Sequence, residues 1–108
     1  KYQLVLSGRL DFFYQRIQEK LKNNPDIIFT GEISDAELAA LYQKALFFVF
    51  PSLNEGFGLP PLEAQTNNCP TLSSAVSSLT EILQNSAIYF NPADKKDLLE
   101  KMKQLAEN

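Results

Sequence analysis

The sequence predicts an α/β protein: a parallel, doubly wound sheet with helices on both faces. Three observations lead there. Short apolar runs alternate with segments of helical period along the chain. Glycine, proline and asparagine punctuate them at close intervals. The most apolar run, "LFFVF" (46–50), shows no alternation, as expected of a strand covered on both faces.

The elements follow in order. "YQLVLSG" (2–8) reads as a short strand ending in a glycine turn. The segment "LDFFYQRIQEKLKNN" has Leu10, Phe13, Ile17 and Leu21 at helical spacing. "DIIFTG" (26–31) is a second strand. "SDAELAALYQKA" (34–45) opens with a capping box, Ser34 to Glu37, and its face Leu38, Leu41, Tyr42 and Ala45 is apolar. After "LFFVF" come a weak strand, "PTLSS" (70–74), and a second capping box, "SLTE" (78–81), that opens a short helix with Ile82 and Leu83. "AIYF" (87–90) is the last strand. Asp94 then caps a final helix carrying Leu98, Met102 and Leu105.

Composition narrows the function. One domain's worth of chain, 108 residues with 44% hydrophobic content, suffices for a core. A net charge of −3 argues against a general nucleic-acid or anionic-membrane surface. No apolar run is long enough to cross a bilayer. With no histidine and the single thiol of Cys69, a transition-metal site, His-based catalysis and a disulfide framework are not expected. Cys69, Tyr42 and the aromatics of "FFVF" read as core. Ser73, Ser74, Ser77 and Ser78 read as turn and cap residues rather than nucleophiles.

Ligands of such sheets bind at the carboxyl ends of the strands. There "PSLNEGFGLPPLEA" (51–64) follows the most apolar strand. Pro51 ends that strand for want of an N–H. Gly56 and Gly58 let backbone approach a ligand closely. Pro60 and Pro61 suit the first turn of a helix. A glycine loop feeding a helix N-terminus is a general anion site. Counting from Pro60 as the cap, Glu63 stands at the third helical position, where it favours the helix dipole or a ligand. Glu55, in the loop, is either solvated or an acceptor for sugar hydroxyls. Carboxylates beside a phosphate would be repelled, so both acids suit a neutral, polyhydroxylic part of a ligand. From Ala45 through Asp94 there is no lysine or arginine. A diphosphate here would need backbone amides and a cation from elsewhere. Arg9 is either that cation or a solvated turn residue.

"PSLNEGFGLPPLEA", with "CPTLSS", "SSLTEIL", "AIYFNP" and the closing acidic helix, resembles the group 1 glycosyltransferases (family 4), retaining enzymes of the GT-B fold. "DIIFTGEISDAELAALYQKALFFVFPS" is similar to the segment before the E-x7-E motif of that family, and Glu55 and Glu63 match the motif itself. The resemblance spans nearly the whole chain. It implies a Rossmann-like, donor-binding domain over residues 1–108, part of the C-terminal half of a larger two-domain enzyme. By the same resemblance Glu55 contacts the transferred sugar, and backbone at Gly56, Phe57, Gly58 and Leu59 meets the sugar and diphosphate. Glu63 then bonds the ribose hydroxyls. The implied partners are a nucleotide-diphosphate sugar and, through a missing N-terminal domain, a sugar or lipid-linked acceptor, with no metal and no cofactor. The implied location is cytoplasmic, any peripheral membrane attachment being made by the missing part.

Two departures stand out. Asn68 replaces the family's usual glycine before "CP", a turn asparagine tolerates. The strand and helix that carry the family's diphosphate-binding arginine and lysine have no counterpart, since "SGRL" stands where the second strand belongs. The chain alone is therefore expected to be inactive. A non-catalytic nucleotide-sugar module and a structural flavodoxin-like domain are the alternatives; the paired glutamates disfavour the second.

Overall fold

The computed structural model describes residues 2–52 and 59–107. Among the described residues five strands and five α-helices alternate: β1 (Leu4–Ser7), α1 (Phe12–Leu21), β2 (Ile27–Gly31), α2 (Asp35–Lys44), β3 (Phe48–Phe50), α3 (Leu59–Thr66), β4 (Thr71–Ser74), α4 (Ser77–Leu83), β5 (Ile88–Phe90) and α5 (Lys95–Glu107). Every strand pairing is parallel, as the alternation predicts. β1 pairs with β2, and β3, β4 and β5 pair in that order. The chain divides inside α2 into two compact units, one up to Leu38 and one from Ala39 onward.

In the first unit, Tyr14 of α1 organises the strand ends. The β1–β2 register slips after Leu6, so that Leu6 faces Phe29 but Ser7 faces Gly31. The Tyr14 hydroxyl sits at this bulge. It donates to the Leu6 carbonyl at 2.8 Å and accepts from the Gly31 N–H at 2.8 Å. Its ring meets Phe29 edge-on, with centroids 5.7 Å apart. Gly31 has φ +71°, a conformation that side chains resist. Asp11 caps α1 through the Tyr14 N–H at 2.9 Å.

The inward face of α1 differs from the one its spacing predicts. Phe13 is 71% exposed and Ile17 47%, and no α1 residue is buried. Tyr14 takes the inner place because its hydroxyl has backbone partners that phenylalanine could not satisfy.

The second unit holds the core: Tyr42, Ala64, Cys69, Leu72, Leu79, Leu83 and Phe90 are buried. The strand covered on both faces is β4, not the apolar run before it; all four of its residues are buried, whereas Phe48–Phe50 are half-buried. β4 lies between two strands, and its side chains are small enough to be enclosed completely. Its hydroxyls are all satisfied: Thr71 donates to the Cys69 carbonyl, Ser73 to the Ser74 carbonyl and Ser74 to the Phe50 carbonyl, each at 3.2 Å. Ser73 and Ser74 thus lie in the strand expected over 70–74, and their hydroxyls serve the sheet rather than a turn or cap.

Helix caps match expectation twice and fail once. Ser34 and Glu37 form the reciprocal box, at 2.9 and 3.1 Å. Asp94 accepts from the N–H groups of Lys96 and Asp97. α4 instead begins at Ser77 behind Val76, which supplies no side-chain cap, so Ser78 lies inside the first turn. At its far end Gln84 has φ +49°, and Tyr89 donates to its carbonyl at 2.5 Å.

Tyr14→Phe should lower stability by about 1–2 kcal/mol, as a part-buried donor and acceptor lose their shared partner. Denaturant midpoints of the two proteins measure this.

Two carboxylates respond to pH, the exposed Glu37 and the half-buried Asp97. Hydrogen bonds from Ser34 hold Glu37 below its ordinary value. A hydrogen bond from Lys101, then one from the Asn91 N–H, does the same for Asp97. With folded pKa values below the unfolded ones, the folded chain binds fewer protons. The stability they add is full above the ordinary carboxylate range and is lost as pH falls through the lowered values. The thermal midpoint should drop between about pH 5 and about pH 3, and Glu37→Gln with Asp97→Asn should flatten that drop.

Candidate functional site

The second unit presents the carboxyl ends of β3, β4 and β5 together. At β3 the chain reaches Pro51 directly after Phe50. Glu55, Gly56, Phe57 and Gly58 lie outside the described residues. Leu59 opens α3, with Pro60 and Pro61 in its first turn as expected. Pro60 and Pro61 bring no N–H to the helix start, so among the described residues this helix end offers only that of Leu59. It is a poorer anion site than an ordinary helix start. Any diphosphate here depends more on other donors.

Glu63 is the fifth residue of α3, not the third, because the helix begins at Leu59. No acidic residue lies in the first turn, so the helix-dipole reading of Glu63 falls away. Its side chain is exposed. Its charge still reaches the buried Tyr42, whose hydroxyl is pushed up first by burial, then by Glu63 and Cys69. Tyr42 itself is fixed by an edge-on contact with Phe48, centroids 5.3 Å apart.

The far end of α3 is closed firmly. Cys69 N–H bonds the Ala64 carbonyl at 2.9 Å, and Asn68 N–H bonds that of Gln65 at 2.9 Å. These are the two bonds of a Schellman turn, with Asn68 in the left-handed position at φ +61°. Asparagine thus does here what glycine usually does. Gln43 of α2 bonds Asn67 at 3.1 Å, and Gln65 bonds the Ser86 carbonyl at 2.9 Å. Ala64 has no exposed surface. Held on both sides, α3 is a rigid mount for the exposed Glu63.

Cys69 is buried, and burial pushes its thiol up, which suits a core filler and not a nucleophile. Arg9 is exposed in the first unit. Among the described residues no cluster of three or more His, Cys, Asp or Glu is arranged to hold a metal, and no helix is long and apolar enough to cross a membrane. Sequence reasoning placed Ser74 in a weak strand and gave its hydroxyl a turn or cap role; the structure gives it a bond to the Phe50 carbonyl instead. Its signal was a small hydroxyl residue inside a strand segment, "TLSS", where a side chain with no exposure needs a backbone partner.

The chain matches the glycosyl transferases group 1 family over residues 1–108. It is 39% identical over 95 residues to the O-antigen chain mannosyltransferase RfbU of Salmonella typhimurium, covering 86% of this chain and 27% of that protein. It is 50% identical over 72 residues to the serotype-specific mannosyltransferase WbdA of Escherichia coli, covering 67% of this chain and 9% of that protein. Its fold superposes on sucrose-phosphate synthase from Thermosynechococcus elongatus with a TM-score of 0.82 at 26% identity, over 98% of this chain and 29% of that one. The chain thus spans less than a third of each of these proteins.

If Glu63 serves a ligand and not its helix, Glu63→Ala should leave stability within about 0.5 kcal/mol of the parent. Asn68→Ala should cost about 1 kcal/mol by forcing alanine into the left-handed region, while Asn68→Gly should not. Thermal midpoints of the three variants check both statements.

Proposed function

The chain belongs to the group 1 glycosyltransferases, and we propose that within such an enzyme it binds a nucleotide-diphosphate sugar and presents it for transfer with retained configuration. The observation that carries this reading is the pair Glu55 and Glu63, with Gly56 and Gly58 between them, in the stretch that runs from β3 into α3 and is free of lysine and arginine. Carboxylates without cations suit hydroxyls, so Glu55 serves the transferred sugar and Glu63 the ribose. Backbone at Gly56, Phe57, Gly58 and Leu59 serves the sugar and diphosphate. Mannosyltransferases among the relatives make mannose the first sugar to test.

In the proposed reaction the bond from the anomeric carbon to the diphosphate oxygen breaks. A bond from the acceptor oxygen forms on the same face, and the acceptor proton passes to the departing phosphate. Glu55 orients the sugar and need not attack it. No bound metal enters this scheme. The acceptor, a sugar or lipid-linked sugar, is held by a further domain, and transfer occurs in the cytoplasm.

The isolated chain should bind uridine, guanosine and adenosine diphosphate mannose or glucose only weakly, with Kd on the order of millimolar, and should transfer none of them. Calorimetry at low salt and product analysis test this. Micromolar binding without transfer by the full-length protein would favour a non-catalytic binding module instead. In the full-length enzyme Glu55→Ala and Glu63→Ala should each lower kcat/KM by about a hundredfold or more, since misplacing the reacting sugar has effects of that size. Full activity in both variants would refute the site.

A further inference from the structure

We infer that α1 is a docking helix for an anionic phospholipid surface, lying along it with its phenylalanines among the lipids; the inference is independent of the donor-binding reading. Phe13, Phe12 and Leu10, at 71%, 67% and 60%, are the most exposed large apolar residues among those described, and Ile17 adds to them at 47%. Phe13, Arg16, Ile17 and Lys20 recur at helical spacing and share one face, with Phe12 beside it. Only Tyr14 and Leu21 of α1 are not exposed. A cluster of exposed rings of this kind marks a contact surface.

Charge selects the partner. Residues 9–22 hold four of the ten basic residues, Arg9, Arg16, Lys20 and Lys22, against two acids. Both acids are engaged: Asp11 caps α1, and Glu19 accepts from Lys22 at 2.7 Å. Arg9, Arg16 and Lys20 are exposed. The Arg16 guanidinium lies 5.5 Å from the centre of the Phe12 ring, so a cation stands beside the apolar tip. A ring that enters the acyl boundary carries that cation to the headgroup phosphates, and the long stem of Lys20 reaches the same level. The hollow lined by Phe13, Arg16, Ile17, Glu19 and Lys20 is made by α1 alone. With no second wall to grip a protein segment, a convex helix face suits a flat, deformable surface. The whole chain is acidic, at −3, so the attraction is local to this helix and acts within about 8 Å at physiological salt.

The experiment floats the full-length protein with vesicles of phosphatidylglycerol and phosphatidylcholine, and separately with vesicles of phosphatidylcholine alone. The parent should float with the anionic vesicles and come off them as salt rises. Phe12→Gln with Phe13→Gln should weaken that binding about tenfold or more. Arg16→Gln with Lys20→Gln should weaken it about tenfold and reduce its salt dependence. Both double variants should keep the Tm of the parent, because the side chains they change are exposed. No flotation of the parent, equal flotation with both kinds of vesicle, or flotation unchanged in both variants overturns the inference. So does a fall of several degrees in the Tm of the phenylalanine variant, which would show those rings packed against another part of the protein.

Discussion

A strand enclosed on both faces imposes the strictest condition in this chain, and β4 meets it with hydroxyls. A wholly apolar strand would need no partners, but its bulk would have to be accommodated on each side. Thr71, Ser73 and Ser74 are small, and each returns its hydroxyl to a carbonyl nearby. Removing one such group without replacing its bond costs more than the bond adds. The two partner strands therefore have a fixed, close-packed neighbour, and the loops leaving their carboxyl ends start from fixed positions. The Schellman turn that ends α3 delivers the chain into β4 through Cys69 and Pro70, so the helix bearing Glu63 is tied to the same strand.

Charge distribution complements this frame. Cations are absent for fifty residues around the glutamate loop, and the two prolines of α3 remove amide donors from the helix start. Both facts leave the region poor in groups that could bind a phosphate. The diphosphate of a donor would look to other backbone amides and to cations beyond this stretch. A site divided in this way suits a protein whose relatives are several times longer than the chain.

Alternation, parallel pairing and most helix ends were legible in the sequence because they are local. The Ser34–Glu37 box, the Asp94 cap and the left-handed Asn68 each depend on residues within a few positions. What could not be read was which elements become central. "LFFVF" looked like the innermost strand because it is apolar, yet sheet order gave that place to "TLSS", a fact of topology that composition does not encode. Phe13 looked inward by spacing, yet Tyr14 is inward because a bulge between two strands offers its hydroxyl partners. The position of Glu63 shifted by two because the helix starts before its prolines. The glutamate pair was legible only as a pattern of residue types, and the packing that fixes α3 under Glu63 was not legible at all.

The contrast between the two units has a dynamic consequence. The first has a helix with no buried residue, tied to its strands through the Tyr14 hydroxyl, whereas in the second all four residues of β4 are buried. Amide protons of β1 and β2 should therefore exchange with solvent through small openings, and those of β4 only when the whole second unit unfolds. The sheet and helix that carry Glu63 would then stay ordered through fluctuations that open β1 and β2.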